Sequence, residues 1–331
     1  MKRQWTVEEA HSWYEQQPWL VGCNFTPSTA INQLEMWQAD SFDPVTIDRE
    51  LGWAAGLGMN TVRTYLHDLL WDDPAGFAGR IREFLTIAAS HRIKPILVIF
   101  DDCWNPEPAL GPQPEARPGI HNSGWVQSPG LTVVNGDPAE WGRLQTYVTE
   151  LLTEFAQDDR ILMWDLYNEP GNNKNGRRSL PLLKAVFDWA RTADVSQPLT
   201  AGVWFDDAQM NEFQTSASDI VTFHDYESAD HLANQISTLR AHGRPLVCTE
   251  WMCRTRDSNV VTHLPVFKEE HVGCVNWGLV AGKTNTIYGW DQPHGQGEPD
   301  PWFHDLLRPD GTPYRAEEVE AFRRLTRARV H

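Results

Sequence analysis

Ile161-Leu162-Met163-Trp164-Asp165-Leu166-Tyr167-Asn168-Glu169-Pro170 is the stretch around which the rest of the chain organises itself. It is a near-continuous apolar run that ends in an amide and a carboxylate, with a proline to stop it. A strand apolar on both faces is covered on both sides, which is the condition of a parallel sheet. Seven further short β-branched runs accompany it. They lie at 21–25, 60–66 and 95–101 before it, and at 199–204, 220–226, 245–251 and 273–280 after it.

Between these runs the apolar spacing turns helical. Asp43-Pro44 reads as an N-cap followed by proline at the first helical position, and Ile47, Leu51 and Ala55 follow before Gly58. Asp73-Pro74 opens a segment with Phe77, Ile81, Phe84 and Ala88. Asp137-Pro138 precedes Trp141, Leu144, Val148, Leu151 and Phe155, which step along one helix face. Eight strands alternating with helices predict a single (β/α)8 TIM barrel over 1–331, with no Pro/Ser/Gly linker to divide it. The competing architecture, a doubly wound open sheet, would call for a Gly-rich phosphate loop after the first strand, and none is there. Two connections exceed simple turns, 102–136 after strand 3 and 281–313 after strand 8. Both leave strand C-termini, where a barrel builds its site.

The chain has 331 residues and a net charge of −17. No run of Lys/Arg interrupts that acidity, so neither nucleic acid nor an anionic membrane is the expected partner. No stretch of 18 apolar residues offers a spanning helix. Met1-Lys2-Arg3-Gln4-Trp5 leads into polar sequence without an apolar signal core, so the expected compartment is the cytoplasm, or the exterior if a signal was removed. Cys23, Cys103, Cys248, Cys253 and Cys274 show no metal-ligand spacing and are expected as buried free thiols. The unusual count is Trp, at 16 against 13 Phe and 7 Tyr. Such an excess points to a need for large flat surfaces with a polar edge.

Strand ends carry the candidate chemistry. Strand 4 ends in Asn168-Glu169-Pro170 and strand 7 in Thr249-Glu250-Trp251. Two carboxylates across one cleft are the minimal machinery of glycoside hydrolysis. Strand 2 holds Arg63 inside Thr61-Val62-Arg63-Thr64-Tyr65, and a buried arginine calls for an anionic partner. Strand 6 ends Phe223-His224-Asp225-Tyr226, where alternation puts His224 and Tyr226 on one face. Strand 8 carries Asn276-Trp277-Gly278.

Taken together, Asn168-Glu169-Pro170 after strand 4 and Thr249-Glu250-Trp251 after strand 7 resemble clan A of the glycoside hydrolases, and within it family 5, the cellulase and mannanase group. The resemblance implies Glu169 as acid/base and Glu250 as nucleophile of a retaining double displacement on a β-linked oligo- or polysaccharide, without cofactor or metal. It further implies that Asn168 holds the sugar 2-hydroxyl, that Arg63 braces the nucleophile, that Tyr226 donates to it, and that Trp277 floors the subsite of the reacting sugar. His224 is expected at sugar or behind it. One departure stands out. The family places a His near the end of strand 3, where this chain reads Phe100-Asp101-Asp102-Cys103-Trp104. Asp101 or Asp102 is expected to bind sugar hydroxyls instead, His121 to fill the missing position, and Trp104 to wall the cleft. The alternative from another class is a carbohydrate-binding barrel without catalysis. A metal-dependent hydrolase lacks His-x-His after strand 1 and HExxH elsewhere, and a serine hydrolase lacks GxSxG.

Overall fold

A computed structural model describes residues 3–292, 295 and 297–327. Met1 and Lys2, and positions 293, 294 and 296 of the long strand-8 connection, lie outside the described residues. Eight parallel strands form the sheet: β1 (Val21–Asn24), β2 (Thr61–Tyr65), β3 (Lys94–Asp101), β4 (Met163–Asn168), β5 (Leu199–Thr200), β6 (Val221–His224), β7 (Leu246–Glu250) and β8 (Gly273–Asn276). Their order is β5-β4-β3-β2-β1-β8-β7-β6, so β1 and β8 pair directly. The remaining seam, between β5 and β6, is joined by one parallel bridge, Val203 to Phe223, just beyond the end of β5. The result is the (β/α)8 barrel that the strand count predicts.

The Asp-Pro pairs behave as caps. Asp43 accepts from the Thr46 amide to open helix Pro44–Gly56, and Asp73 accepts from Gly76 to open Pro74–Ser90. The third pair opens only a 3-10 turn, Pro138–Glu140, and the helix proper is Gly142–Glu154. β5 is shorter than its run 199–204. Its last residues leave the β4 edge to reach β6.

Packing divides into three regions. Helix faces and the outer strand faces form the main layer, with Leu51, Phe84, Leu151 and Phe267 fully buried in it. The barrel's lower interior holds Ile96, Met163, Val247 and Val275, and helix Val7–Glu15 closes it with Trp5, Trp13 and Tyr14. Thr6 and Glu9 form a capping box at the start of that helix. Tyr65, Val98, Cys103 and Trp125 cluster at the upper end with Trp104 and Trp277. All five cysteines are free and buried. Among the described residues no helix is long and apolar enough to cross a membrane.

Candidate active site

Arg63 and Tyr65 alternate on β2 and both point into the upper barrel. The Arg63 guanidinium is fully buried and its donors are all used. Nη1 reaches Glu250 Oε1 at 2.8 Å and Asn24 Oδ1 at 2.9 Å, Nε reaches Asp165 Oδ2 at 2.9 Å, and Nη2 reaches Asn168 Oδ1 at 2.7 Å. One cation thus ties β1, β2, β4 and β7 together beneath the site. Removing one partner from such a buried pair costs about 3–5 kcal/mol, because the other charge is left uncompensated.

Glu250 ends β7. Between β6 and β7 the register slips after Phe223, so that His224 pairs with Glu250 rather than with Thr249. A bulge of this kind re-aims side chains at a barrel rim. Glu250 Oε1 also accepts from Tyr65 Oη at 2.9 Å, and Oε2 accepts from Tyr226 Oη at 2.8 Å. Burial and the carboxylates of Glu250 and Glu169 raise the Tyr226 phenol well above its ordinary range, so it remains a donor.

Glu169 follows β4 with φ +44°, a left-handed conformation that costs a non-glycine residue of order 1–3 kcal/mol. That turn swings its carboxyl over the barrel. Oε1 meets His224 Nδ1 at 2.8 Å, while Oε2 accepts from Cys103 Sγ at 3.2 Å and from Asn172 Nδ2 at 2.5 Å. Burial pushes this carboxyl up, but the bonds from His224, Cys103 and Asn172 outweigh it and hold it below the usual range. Burial and neighbouring carboxylates raise the Cys103 thiol, which therefore keeps its proton and donates.

His224 Nδ1 is also 3.5 Å from Glu250 Oε2, and one ligating atom each from Glu169, His224 and Glu250 lie within 4.8 Å of one another. That spacing would admit a cation. The Arg63 guanidinium already bonded to Glu250 supplies positive charge there, and a second cation would face it directly. The two carboxyls open onto a cavity of about 700 Å³ lined by Trp104, Trp125, Trp204, Trp277 and Trp290 among others. Trp251, also at a strand end, turns outward to stack on His263.

A family model, Cellulase (glycosyl hydrolase family 5), matches residues 44–283. The chain belongs to glycosyl hydrolase family 5. No curated protein matches it. Among solved structures, a GH5_18 variant from Streptomyces cattleya in complex with Manb1-4GlcNAc is 13% identical at a TM-score of 0.64, covering 95% of this chain and 82% of that one. The exo-beta-1,4-mannosidase from Opitutaceae bacterium strain TAV5 is 17% identical at 0.62, with 93% of this chain and 59% of that one covered. A xyloglucan-specific endo-beta-1,4-glucanase from a metagenomic library is 16% identical at 0.60, with 96% and 99% covered. At these identities the likeness is one of fold.

In this family 5 chain Glu169, Glu250, Arg63, Asn168, His224 and Tyr226 come together within one hydrogen-bonded cluster, and Trp277 and Trp104 line the same cavity. Asp101 and Asp102 do not face it, which corrects their expected contact with sugar. Asp101 lies under the floor, accepting from Asn168 Nδ2 at 2.9 Å, Trp125 Nε1 at 2.7 Å, the Cys103 amide at 2.9 Å and Gln33 Nε2 at 3.3 Å. Burial raises it to about 7 against the bonds from Asn168, Trp125 and Cys103. Asp102 points behind β4 to Tyr167 Oη and the Gly171 amide, each at 2.7 Å. His121 does line the cavity, but from the rim. The place beside Asn168 and Glu169 belongs to Cys103, whose sulfur is 3.4 Å from Asn168 Nδ2. Sequence reasoning also passed over Tyr65, Asn24 and Asp165. The first has a legible signal, since alternation along β2 sets it on the face of Arg63.

Proposed function

We propose that this glycoside hydrolase is a retaining enzyme acting on β-linked glycosides, with Glu250 as nucleophile and Glu169 as acid/base. The observation that carries the reading is two carboxyls with oxygens within 4.8 Å and opposite surroundings. Retaining enzymes hold their carboxyls about 5–5.5 Å apart, whereas inverting ones leave about 6.5–9.5 Å for a water. Glu250 receives a guanidinium and two phenols, a donor set suited to an anionic nucleophile. Glu169 shares a 2.8 Å contact with an imidazole that can hold or return a proton. The β linkage is supported by the neighbours' printed specificities, β-1,4-mannosidase and β-1,4-glucanase among them.

In the first step Glu250 attacks the anomeric carbon as Glu169 protonates the departing oxygen. In the second, Glu169 takes a proton from water, whose oxygen displaces Glu250. Two carboxyls and one water balance the reaction, so it calls for no cofactor. Proton NMR of early product from a cleaved aryl β-glycoside tests this, with the β anomer appearing first and the α anomer only by mutarotation. Appearance of the α anomer first would overturn it.

The pH profile carries a further expectation. His224 is the strongest influence opposing burial at Glu169, and Glu169 must be protonated for the first step. Without the imidazole the carboxyl rises, so its proton is lost at higher pH. His224→Asn therefore moves the alkaline limb of kcat/KM to higher pH, as measured with an unactivated substrate. An unmoved limb would remove His224 from this role.

A further inference from the structure

The rim of the cavity is closed on one side and open on the other. The loops that follow β1, β3 and β8 are bonded to each other across that rim. His121 Nδ1 meets Tyr288 O at 2.8 Å, the Asn122 amide donates to Thr284 O at 2.8 Å, and Asn285 Nδ2 donates to Arg117 O at 2.9 Å. Asn32 Nδ2 from the β1 loop donates to Gly124 O at 2.8 Å, and Lys283 Nζ reaches Glu35 Oε1 at 2.6 Å. A chain of packed rings runs along the inside of this wall. Tyr226 lies 5.1 Å from Trp290, Trp290 6.4 Å from His121, and His121 5.3 Å from Trp104. His304 fills the corner, 5.3 Å from His121 and 6.3 Å from Trp277. The arc therefore spans from the end of β6, past β7, β8, β1 and β2, to the end of β3.

Among the rings of this wall only Trp290, at 36%, is exposed. His121, Asn122, Trp125 and His304 line the cavity yet are only 4%, 1%, 2% and 1% exposed. On the β4–β6 side Asn173, Asp206 and His231 line the same cavity and stand in solvent.

The reacting sugar lies in the closed half. Its anomeric carbon must sit between Glu250 and Glu169, and the flat surface beside Glu250 is Trp277, just past β8. The departing group then leaves through the open β4–β6 sector, past Trp204 and Phe205. On the non-reducing side of that position stand the His121, His304 and Trp290 rings, packed on one another at 5.3–6.4 Å. The wall also has a definite polarity. His121 and His304 each turn Nδ1 to a backbone carbonyl, of Tyr288 and Met252, and a carbonyl only accepts. Each Nδ1 therefore carries the hydrogen, and each Nε2 is a bare acceptor. Acceptors suit hydroxyl hydrogens and repel a carboxylate.

We propose that the enzyme is exo-acting, removing one neutral sugar at a time from the non-reducing end and tolerating varied groups on the leaving side. The proposal rests on the glycosidase reading above. A panel of aryl β-glycosides first identifies the sugar accepted. Reducing-end-labelled oligosaccharides of that sugar are then digested in two forms, with the non-reducing terminus free or capped as its 4,6-O-benzylidene derivative. The expected result is a ladder that shortens by one residue per event, monosaccharide as the sole small product, and loss of all cleavage in the capped series. Cleavage inside a capped chain, or disaccharide as the first product, overturns exo action while leaving the glycosidase reading intact. Faster hydrolysis of an aryl uronide than of any neutral aryl glycoside overturns the neutral pocket. Hydrolysis of no aryl glycoside and no oligosaccharide sinks the glycosidase reading, and this one with it.

Discussion

Glu250→Gln lowers kcat by about 10⁵-fold, equivalent to about 7 kcal/mol of barrier, for every leaving group tested. The amide is nearly isosteric and its oxygen can still accept from Arg63 and Tyr65, so the site keeps its shape. What disappears is the oxygen that forms the glycosyl-enzyme bond, and a good leaving group cannot substitute for that. The variant also places an NH2 toward the Tyr226 hydroxyl, which can accept as well as donate. Arg63 keeps the buried Asp165 carboxylate as its counter-charge, so the variant stays folded, and steady-state assays on activated and unactivated aryl glycosides read the effect. A residual rate within tenfold of the parent would mean that another group makes the attack.

Glu169→Ala behaves differently. General acid–base catalysis is worth about 10²–10⁴-fold, and that contribution is lost in full only when the leaving oxygen needs a proton. On an unactivated alkyl or sugar leaving group the first step falls by that range. On a dinitrophenyl glycoside the first step proceeds, the second lacks its base, and the glycosyl-enzyme accumulates. Stopped-flow mixing then shows a burst of phenol stoichiometric with enzyme, followed by slow turnover. Azide, a nucleophile needing no base, fits the space left by the side chain, restores turnover and yields a β-glycosyl azide. A uniform loss across leaving groups, with no burst, would assign the proton transfer elsewhere. His224 is the obvious claimant, at 2.8 Å from one glutamate and 3.5 Å from the other.

Much of this arrangement is legible in the chain because its signals are local. Strands buried on both faces leave long apolar runs, and Asp-Pro pairs fix where the following helices begin. Two glutamates at the ends of strands 4 and 7 stand out because little else justifies a charge there. Arg63 announces a buried anion by its place in an apolar strand, although nothing local says it would take two, Asp165 as well as Glu250. Asp101 and Asp102 show where local reading stops. A carboxylate at a strand end can face the cleft, as at Glu250, or point behind the strand, as at Asp102, and backbone twist over one or two residues decides. Cys103 is the same case reversed, an apolar-looking thiol turned by that twist onto Glu169. The rim depends on contacts between residues more than 150 positions apart, His121 with Tyr288 and Asn122 with Thr284, and no periodicity encodes those. Helix Val7–Glu15 did have a signal, the Thr6 and Glu9 capping box.

The β5–β6 seam has a consequence for how this barrel is joined. Seven of its eight junctions are ladders of two or more residue pairs, while the eighth is a single bridge at Val203 and Phe223. Fewer residue pairs join here than at any other junction, and the seam is closed instead by backbone bonds from Asp219 to Leu199, Val203 to Thr222 and His224 to Val203, with the Thr200 hydroxyl bonded to Ile220 O. The seam lies below the side on which the cavity opens to solvent. Strand pairing is therefore uneven around the barrel axis, longest on the two sides of β3 and shortest at β5–β6. A fold built this way can drift in the aglycones it accepts, through changes in 201–207, without disturbing the half of the barrel that positions Glu250 and Arg63.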